Sequence, residues 1–371
     1  MRIVVNIARI IVGILFIFSG LVKANDPLGL SYKMQEFFEA WGLYFLSQFT
    51  LTFSIVMIAF EILAGVAVIL GRQMKLFSWL LLILIIFFTF LTGYALFSGK
   101  IRECGCFGDC IPLQANQSFI KDLLLLVFIG VLFKFRNRIQ PVMNAASSLL
   151  VLFFTIVFSF AFQWYVLLHL PFVDCLPYKT GNNIPEKLKS PPGSIPDSTV
   201  ILFTYEKNGR QSKFTADKFP SDFDGSYKFI RREDKVVRKG NAIPPIRDFS
   251  LQTYYGNDTT LALLNEDRYQ FFLFVKDGYK PGEWTELLSM IMTTASQKKV
   301  EGFLVTNIAI DELRKDAAES LHTLTPLKCD GTAIKTAARA NPTLYLIRKG
   351  TIIKKWSYAD FDQALMTIQK L

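Results

Sequence analysis

Three cysteines lie within seven positions of each other in the stretch "ECGCFGDC", at Cys104, Cys106 and Cys110. The other two cysteines of the 371-residue chain, Cys175 and Cys329, are distant from this Cys loop (residues 103–110). Closely spaced thiols can exchange disulfides, bind a metal ion or close a static disulfide. Which of these reactions is open to them depends on the redox environment of the loop.

The hydropathy pattern indicates a membrane protein. Mean hydropathy is +0.32, and 51% of the residues are hydrophobic. A helix needs about 20 apolar residues to cross the hydrocarbon core. Five segments approach or reach that length: residues 3–22, 52–70, 76–96, 119–135 and 147–168. The sequence therefore predicts five membrane spans, followed from residue 171 by a soluble region.

The positions of lysine and arginine predict the orientation of these spans. Arg2, the Arg72–Lys75 turn and the basic residues at 134–138 fall on one side if the spans alternate. Short cytoplasmic loops carry such an excess of basic residues. We therefore expect a bacterial cytoplasmic (inner) membrane protein with its N-terminus inside and its C-terminal domain periplasmic. All five cysteines then lie outside the cytoplasm, where disulfides persist.

The predicted partners follow from the same distribution of charge. The formal net charge is +10. Part of this excess comes from the basic residues expected in the short cytoplasmic loops. The basic residues of the soluble region alternate with acidic ones. The charge therefore does not indicate a nucleic acid. The expected partners are the lipid bilayer and a periplasmic protein.

The cysteines permit several interpretations. A static disulfide would join Cys104 or Cys106 to Cys110, whereas a Cys104–Cys106 bond would be a strained and readily reduced ring. Cys175 follows the fifth span closely, so it could join a loop cysteine in a second disulfide or shuttle electrons between loop and tail. Cys329 is expected to be a buried, inert thiol. Redox exchange and a static loop both remain open.

The sequence gives no support for a metal site. Tetrahedral sites combine C-x2–4-C pairs with a further Cys or His pair. The two histidines, His169 and His322, show no matching motif. We therefore predict no metal.

Two ionisable residues occur within the predicted spans, Glu61 in the second and Arg9 in the first. A charge at that depth is costly and is a functional candidate. Two interpretations stay open: an Arg9–Glu61 pair that locks two helices together, or a role in proton or quinone chemistry. Quinone is accordingly the cofactor to consider, and no cofactor is certain.

The order of segments predicts several domains. After the spans, β-like runs alternate with helices and close on a hairpin and a last helix, which is typical of an α/β sheet. The expected divisions are a four-helix membrane domain at 1–142, a fifth tethering helix at 143–170, a linker at 171–198, a β-rich connecting segment at 199–243 and an α/β domain at 244–371.

The membrane half resembles known families. The stretch "RIIVGILFIFSGLVKANDPLG", followed by the "CGCFGD" loop, is similar to the DoxX and MauE families of small four-helix membrane proteins, which are described as redox-associated. The resemblance rests on the Arg9, Gly13, Ser19-Gly20 and Lys23 framework. It implies electron delivery to quinone, or support of disulfide formation in partner proteins.

The soluble half resembles thioredoxins. "NPTLYLIRKGTIIKKW" is similar to their cis-proline strand and hairpin, with Pro342 before Thr343. Upstream, "YKPG" stands where membrane-tethered thioredoxins and peroxiredoxins carry C-x-P-C, so Tyr279 and Gly282 replace the two cysteines. Without a sulfur atom no thiol exchange can occur there. The resemblance implies a remaining groove at Pro342, Thr343 and Tyr279 that binds an extended partner segment.

These observations lead to two hypotheses. In the first, the protein supports thiol–disulfide or quinone-linked electron transfer for a periplasmic partner through Cys104, Cys106 and Cys110, as an oxidoreductase component. In the second, it is a non-enzymatic membrane scaffold or assembly factor with a structural disulfide and a partner-binding thioredoxin-like domain.

Overall fold

The N-terminal half of the chain forms a helical bundle. The computed structural model describes residues 2–98, 105, 107–195, 198–215, 217–238, 240–276, 282, 284–309, 312, 321 and 323–371. The helices of this half are α1 (Arg2–Ala24), α2 (Pro27–Ala40), α3 (Thr50–Leu70), α4 (Met74–Ser98), α5 (Ala115–Phe135) and α6 (Ala145–Leu168). Two 3-10 turns, Tyr44–Phe49 and Arg136–Arg138, precede α3 and follow α5.

Four helices of the described residues are long and apolar enough to cross a membrane: α1, α3 with the turn before it, α4 and α6. The fourth predicted span corresponds to α5. This helix has 21 residues and packs in the same bundle, with its buried Leu125, Ile129 and Leu132 in the bundle core. It also carries Lys121 and Asp122 in its third turn. Its crossing of the membrane stays a prediction.

Close backbone contact joins α1 to α3. A Cβ atom at Gly65 would lie 2.8 Å from the carbonyl oxygen of Gly13, so only glycine permits this approach. Between these helices the chain turns through α2, whose N-cap Asp26 accepts a hydrogen bond of 3.0 Å from the Gly29 amide. Such a cap satisfies one of the free amides at a helix start.

The C-terminal half contains two sheets. The small sheet consists of β1 (Ser198–Lys207), β2 (Arg210–Thr215) and β3 (Lys228–Arg238), in the antiparallel order β2-β1-β3. The large sheet consists of β4 (Tyr269–Val275), β5 (Glu301–Thr306), β6 (Thr325–Lys328), β7 (Thr343–Arg348) and β8 (Thr351–Ser357). Its order is β6-β5-β4-β7-β8, with β4, β5 and β6 parallel and the β7–β8 hairpin antiparallel to them.

Among the described residues, five α-helices accompany these sheets: α7 (Ile184–Lys187), α8 (Thr260–Leu264), α9 (Trp284–Gln297), α10 (Gly331–Ala337) and α11 (Phe361–Gln369). A β-α-β unit, β4-α9-β5, precedes a β-hairpin and a last helix, as the sequence predicts. The Asn341–Pro342 peptide bond is cis, immediately before β7. This half therefore contains a thioredoxin-like domain.

Apolar side chains cover both faces of the large sheet. Successive β4 residues alternate between the faces: Phe271 and Leu273 pack with α9 and α11, whereas Phe272 and Phe274 pack with α10. The second core also contains Tyr178 and Ile184. Both come from the segment at 171–198, which we expected to be a linker. Burial of these side chains joins the first part of the segment to the domain core, and the expected division at 171–198 stays a prediction.

Candidate functional site

A cavity of about 610 Å³ lies inside the helical bundle. Helices α1 to α5 contribute to its wall, and Gly105 and Phe107 of the Cys loop complete it. Most of the lining is apolar and much of it aromatic, including Phe37, Trp41 and Phe88. Polar side chains enter it at two places, around Glu61 and around Asp122.

The first polar place is a buried ion pair. Lys23 Nζ lies 2.6 Å and 2.9 Å from the two carboxylate oxygens of Glu61. Ser19 donates a further hydrogen bond of 3.2 Å to the same carboxylate. Exposure of the Lys23 and Glu61 side chains is only 3% and 2%. The Glu61 charge is thus compensated inside the bundle.

The Arg9–Glu61 pair, one of the two interpretations that the sequence left open, does not form. Arg9 Nη1 instead lies 3.4 Å from the carbonyl oxygen of Gln140, beyond the opposite end of the bundle from Lys23. The fourteen residues from Arg9 to Lys23 span about 21 Å along a helix, at 1.5 Å each. Glu61 lies at the level of Lys23. Arg9 is therefore too far along the helix to reach it.

The second polar place is on α4 and α5. Lys121 Nζ lies 2.8 Å from Asp122 Oδ1, and Thr92 Oγ1 lies 3.1 Å from the other carboxylate oxygen. The Lys121 ammonium also lies 5.0 Å from the ring centroid of Phe107. This pair therefore connects the cavity to the Cys loop. Two adjacent charges within an otherwise apolar segment were the sequence signal that could have revealed it.

The cysteines pair across the bundle. Cys110 forms a disulfide with Cys175, with an S–S distance of 1.90 Å. The static closure of Cys110 with Cys104 or Cys106 is therefore replaced by a link to the segment after α6, one of the alternatives that the sequence left open. Cys104 and Cys106 themselves lie outside the described residues. By sequence they flank Gly105, which lines the cavity.

Cys329 is free and buried. Burial raises the pKa of its thiol to about 12. A thiol in that state carries almost no thiolate at neutral pH and is a poor nucleophile. Its environment agrees with the expected inert thiol.

The cis-proline edge of the thioredoxin-like domain faces two loops of the bundle, the one between α1 and α2 and the one between α4 and α5. Arg339, 4% exposed, places Nε 2.8 Å from Asp26 Oδ2 and Nη2 2.7 Å from Asp109 Oδ2. Lys276 Nζ lies 3.3 Å from the Tyr32 hydroxyl. Asp109 precedes Cys110 in the Cys loop, so the domain contacts the loop directly.

The expected partner groove is not an open surface. Pro342 lies at this occupied edge, where its carbonyl oxygen accepts a hydrogen bond from the Tyr358 amide. Thr343 is fully buried, and its hydroxyl bonds the Ala340 carbonyl oxygen at 2.9 Å. Tyr279 lies outside the described residues. The proposed role of these three residues in partner binding stays a prediction, whereas Arg339 and Lys276 were not singled out from the sequence.

Among the described residues, no group of three or more His, Cys, Asp or Glu side chains could hold a metal ion. His169 has a structural partner instead. Its Nδ1 lies 2.8 Å from Asp360 Oδ1, which fastens the end of α6 to the domain.

Comparison with known proteins identifies the membrane half. Residues 1–135 match the family model "Methylamine utilisation protein MauE". These residues are therefore similar to that family. The DoxX part of the resemblance stays a prediction. Residues 199–239, which include the small sheet, match a domain of unknown function, DUF8463.

A curated relative and several solved structures are also similar. Protein TlpB of Flavobacterium psychrophilum is 27% identical over 128 residues, which is 34% of this chain and 35% of that protein. The match thus spans about a third of the relative's length. With the family match and the four membrane-competent helices, it supports a bacterial membrane protein.

The solved structures each correspond to 33% of this chain. Peroxiredoxin Q of Xanthomonas campestris is 15% identical with a TM-score of 0.26, over 90% of its own chain. A thiol:disulfide interchange protein from Bacteroides sp. is 15% identical with a TM-score of 0.25, over 86% of its own chain. Arabidopsis thaliana ScoI is 15% identical with a TM-score of 0.23, over 97% of its own chain. The chain combines a membrane region similar to MauE with the thioredoxin-like domain described above.

Proposed function

We propose that this protein oxidises the thiols of a periplasmic partner, with Cys104 and Cys106 as the exchanging pair and a quinone in the bundle cavity as the electron acceptor. In this proposal all five predicted spans cross the inner membrane. The N-terminus is then cytoplasmic, and the Cys loop and thioredoxin-like domain face the periplasm.

One observation carries the proposal: the Cys loop forms part of the wall of the bundle cavity. Gly105 and Phe107 both line this cavity. Cys110 is already bonded to Cys175. We therefore assign the proposed exchange with a partner to the other two loop cysteines, Cys104 and Cys106, which flank Gly105 in the sequence.

The residues around the cavity fit a quinone. A volume of about 610 Å³ lies within the 300–1,000 Å³ typical of small-molecule sites. Aromatic side chains suit a planar ring, and the Lys23 ammonium, which has three hydrogens, supplies a donor for a carbonyl oxygen. A bound quinone would accept two electrons and two protons. The carboxyl groups of Glu61 and Asp122 are the residues of this chain that could hold those protons.

The thiol chemistry balances at the loop. A partner thiolate attacks a Cys104–Cys106 disulfide and forms a mixed disulfide, with one loop sulfur leaving as thiolate. The second partner thiolate then displaces the other loop sulfur. The partner has lost two electrons and two protons, and the loop is reduced to two thiols. A Cys-Gly-Cys disulfide is strained, which makes it an oxidant in this exchange.

The in-cell oxidation state of the loop tests the thiol part. Cells carrying the Cys329→Ala chain would be acid-quenched, and free thiols labelled with a mass-shifting maleimide, with and without a respiratory block. We expect Cys104 and Cys106 to shift towards the reduced state under the block, while the Cys110–Cys175 disulfide does not change. A loop fixed in one state, in both conditions, would contradict the proposal.

The quinone part has its own test with a matched pair of variants. Met57→Trp places a large ring in the cavity wall, whereas Met143→Trp makes the same change outside the cavity lining. We expect Met57→Trp to reduce labelling of the purified protein by a photoreactive quinone, and Met143→Trp to leave it unchanged. Equal labelling of both variants would exclude this cavity as the quinone site.

A scaffold is the second candidate. The Cys110–Cys175 cross-link favours it, because it ties the loop to the segment that enters the thioredoxin-like domain. A scaffold predicts that partner co-purification survives Cys104→Ser and Cys106→Ser, and that the partner's cysteines keep their normal oxidation state. The redox proposal predicts misoxidised partner cysteines in the same variants.

A further inference from the structure

The cis-proline edge of the thioredoxin-like domain is occupied by this chain's own bundle. We propose that the domain is a self-docked cover on the Cys loop: α2 and Asp109 fill the edge where a partner segment would bind, and Arg339 is the contact that must open. The regulatory part of this inference rests on the proposed function. The docking of the domain on the bundle can be tested even if that function is wrong.

Arg339 is the centre of the docked edge. Its guanidinium bonds Asp26, the N-cap of α2, and Asp109 of the Cys loop at the same time. A third bond of 2.8 Å to the Lys335 carbonyl oxygen fixes the side chain on its own domain. One buried arginine thus joins the domain to two separate loops, 313 and 230 residues away in sequence.

The edge and the bundle are complementary in charge and shape. Lys276, Lys335 and Arg339 form the basic side, and all three surround Tyr32 of α2. The Tyr32 hydroxyl lies 3.3 Å from Lys276 Nζ, and its ring centroid lies 5.6 Å from Lys335 and 5.4 Å from Arg339. Cation–π contacts of this kind are attractive. The basic edge therefore holds an acidic and aromatic segment of the same chain.

Helix α2 lies between the domain and the Cys loop. On one side Tyr32 contacts the domain, and on the other Lys33 packs on the loop: a Cβ atom at Gly105 would lie 3.0 Å from Lys33 Cγ. Domain, α2 and loop therefore form one stack. The stack thus includes Gly105 of the Cys loop, which separates Cys104 from Cys106 in the sequence.

Photocrosslinking of the full-length protein in nanodiscs tests the docking. Benzoylphenylalanine would replace Tyr32, and the matched control position is Tyr44, which is 68% exposed. We expect position 32, but not 44, to crosslink to peptides that contain residues 331–348. Absence of this crosslink at position 32 would overturn the docked arrangement.

Variants on both sides of the contact test Arg339. Removal of one partner of a buried ion pair is strongly unfavourable, so we expect the crosslink yield to fall by at least roughly fivefold in the Asp26→Asn/Asp109→Asn double variant and in Arg339→Gln. The double variant leaves the sequence of the domain intact. Misfolding of the domain therefore does not explain a loss of the crosslink in this variant. Arg348→Gln is the control, because Arg348 pairs with Asp267 on the domain surface. Unchanged yields in both test variants would overturn the role of Arg339.

The cover itself is tested by access to the loop. After mild reduction, a polyethylene glycol maleimide would be added to the wild type and to the Asp26→Asn/Asp109→Asn variant. At roughly 5 kDa, this reagent is too bulky to enter a packed interface. We expect modification of Cys104 and Cys106 to be at least about tenfold faster in the variant. Equal rates would show that the docked domain does not restrict the loop. Because this readout needs no quinone and no partner, it can succeed even if the proposed function fails.

Discussion

Lys276 follows β4 directly and is the residue where the domain meets α2. Burial, and secondarily the Arg339 charge, lower the pKa of Lys276 from 10.5 to about 8. Four groups face it: Arg339, Asp26, Lys335 and Tyr32. The folded state therefore binds fewer protons than the unfolded state between these two pH values.

This shift predicts a pH dependence of stability. Stability rises with pH wherever the unfolded state binds more protons, so the Lys276 contribution is smallest below pH 8 and increases towards 10.5. Burial raises the pKa of Tyr32 to about 12, which has the opposite effect above its ordinary value of 10. Urea midpoints at about pH 7.5 and 9.5 should thus increase more for the wild type than for Lys276→Met. A parallel change in both proteins would contradict the assignment.

The Lys23–Glu61 pair predicts strong coupling between two membrane residues. Loss of one partner of a buried ion pair costs about 3–5 kcal/mol, whereas replacement of both by apolar residues can be nearly neutral. We expect Lys23→Met and Glu61→Leu to lower the thermal midpoint in detergent more than the double variant does. Simple additivity of the two effects would show that the residues do not interact.

An exposed pair provides the control for this cycle. Arg232 and Asp234 pair at 2.9 Å on β3, with 53% and 54% side-chain exposure. Exposed pairs contribute only about 0.2–1 kcal/mol. Arg232→Met should therefore leave the thermal midpoint almost unchanged.

At the scale of elements, the bundle depends on close contact between α1 and α3. A Cβ atom at Gly65 would lie 2.8 Å from Gly13 O and 2.9 Å from the Ile17 amide nitrogen. Since both atoms belong to the backbone, neither can rotate away. We expect Gly65→Ala to destabilise the bundle by about 1–3 kcal/mol. Thermal or SDS-induced unfolding of the purified protein measures this loss.

Gly130 in α5 is the matched control. No heavy atom lies within 4 Å of the position that its Cβ would take. Alanine is the better helix former by about 0.5–1 kcal/mol. Gly130→Ala should therefore leave stability unchanged or slightly increase it, and an equal loss in both variants would argue against the α1–α3 contact as the cause.

The elements themselves were largely predictable. The apolar runs predicted α1, α3, α4 and α6, because the period and length of a membrane helix are local properties. The burial of Tyr178, in the segment expected to be a linker, was not predictable, because it depends on strands far along the chain.

At the scale of the whole molecule, the Cys110–Cys175 disulfide joins the bundle to the soluble half. It closes a loop with a sequence separation of 65. In the chain-entropy description, such a cross-link contributes roughly 4 kcal/mol. We expect Cys110→Ser/Cys175→Ser to lower the urea midpoint of the protein. Non-reducing peptide mapping checks the link directly, and a Cys104–Cys110 or Cys106–Cys110 peptide would contradict it.

The sequence alone determined the properties that depend on neighbouring residues. It determined the membrane helices through apolar length, the α/β order of the soluble half through alternating patterns, and the loss of thiol chemistry at Tyr279 and Gly282 through residue identity. These features need no knowledge of which distant segments meet. The family match at residues 1–135 agrees with this part of the interpretation.

The tertiary structure decided the pairings. Glu61 bonds Lys23 and not Arg9, Cys110 bonds Cys175, and Arg339 joins Asp109 across 230 positions of sequence. Each pairing depends on how the helices align and on where the domain contacts the bundle. Many charged pairs are compatible with one sequence, and packing selects among them because a buried charge must find its partner within a few ångströms.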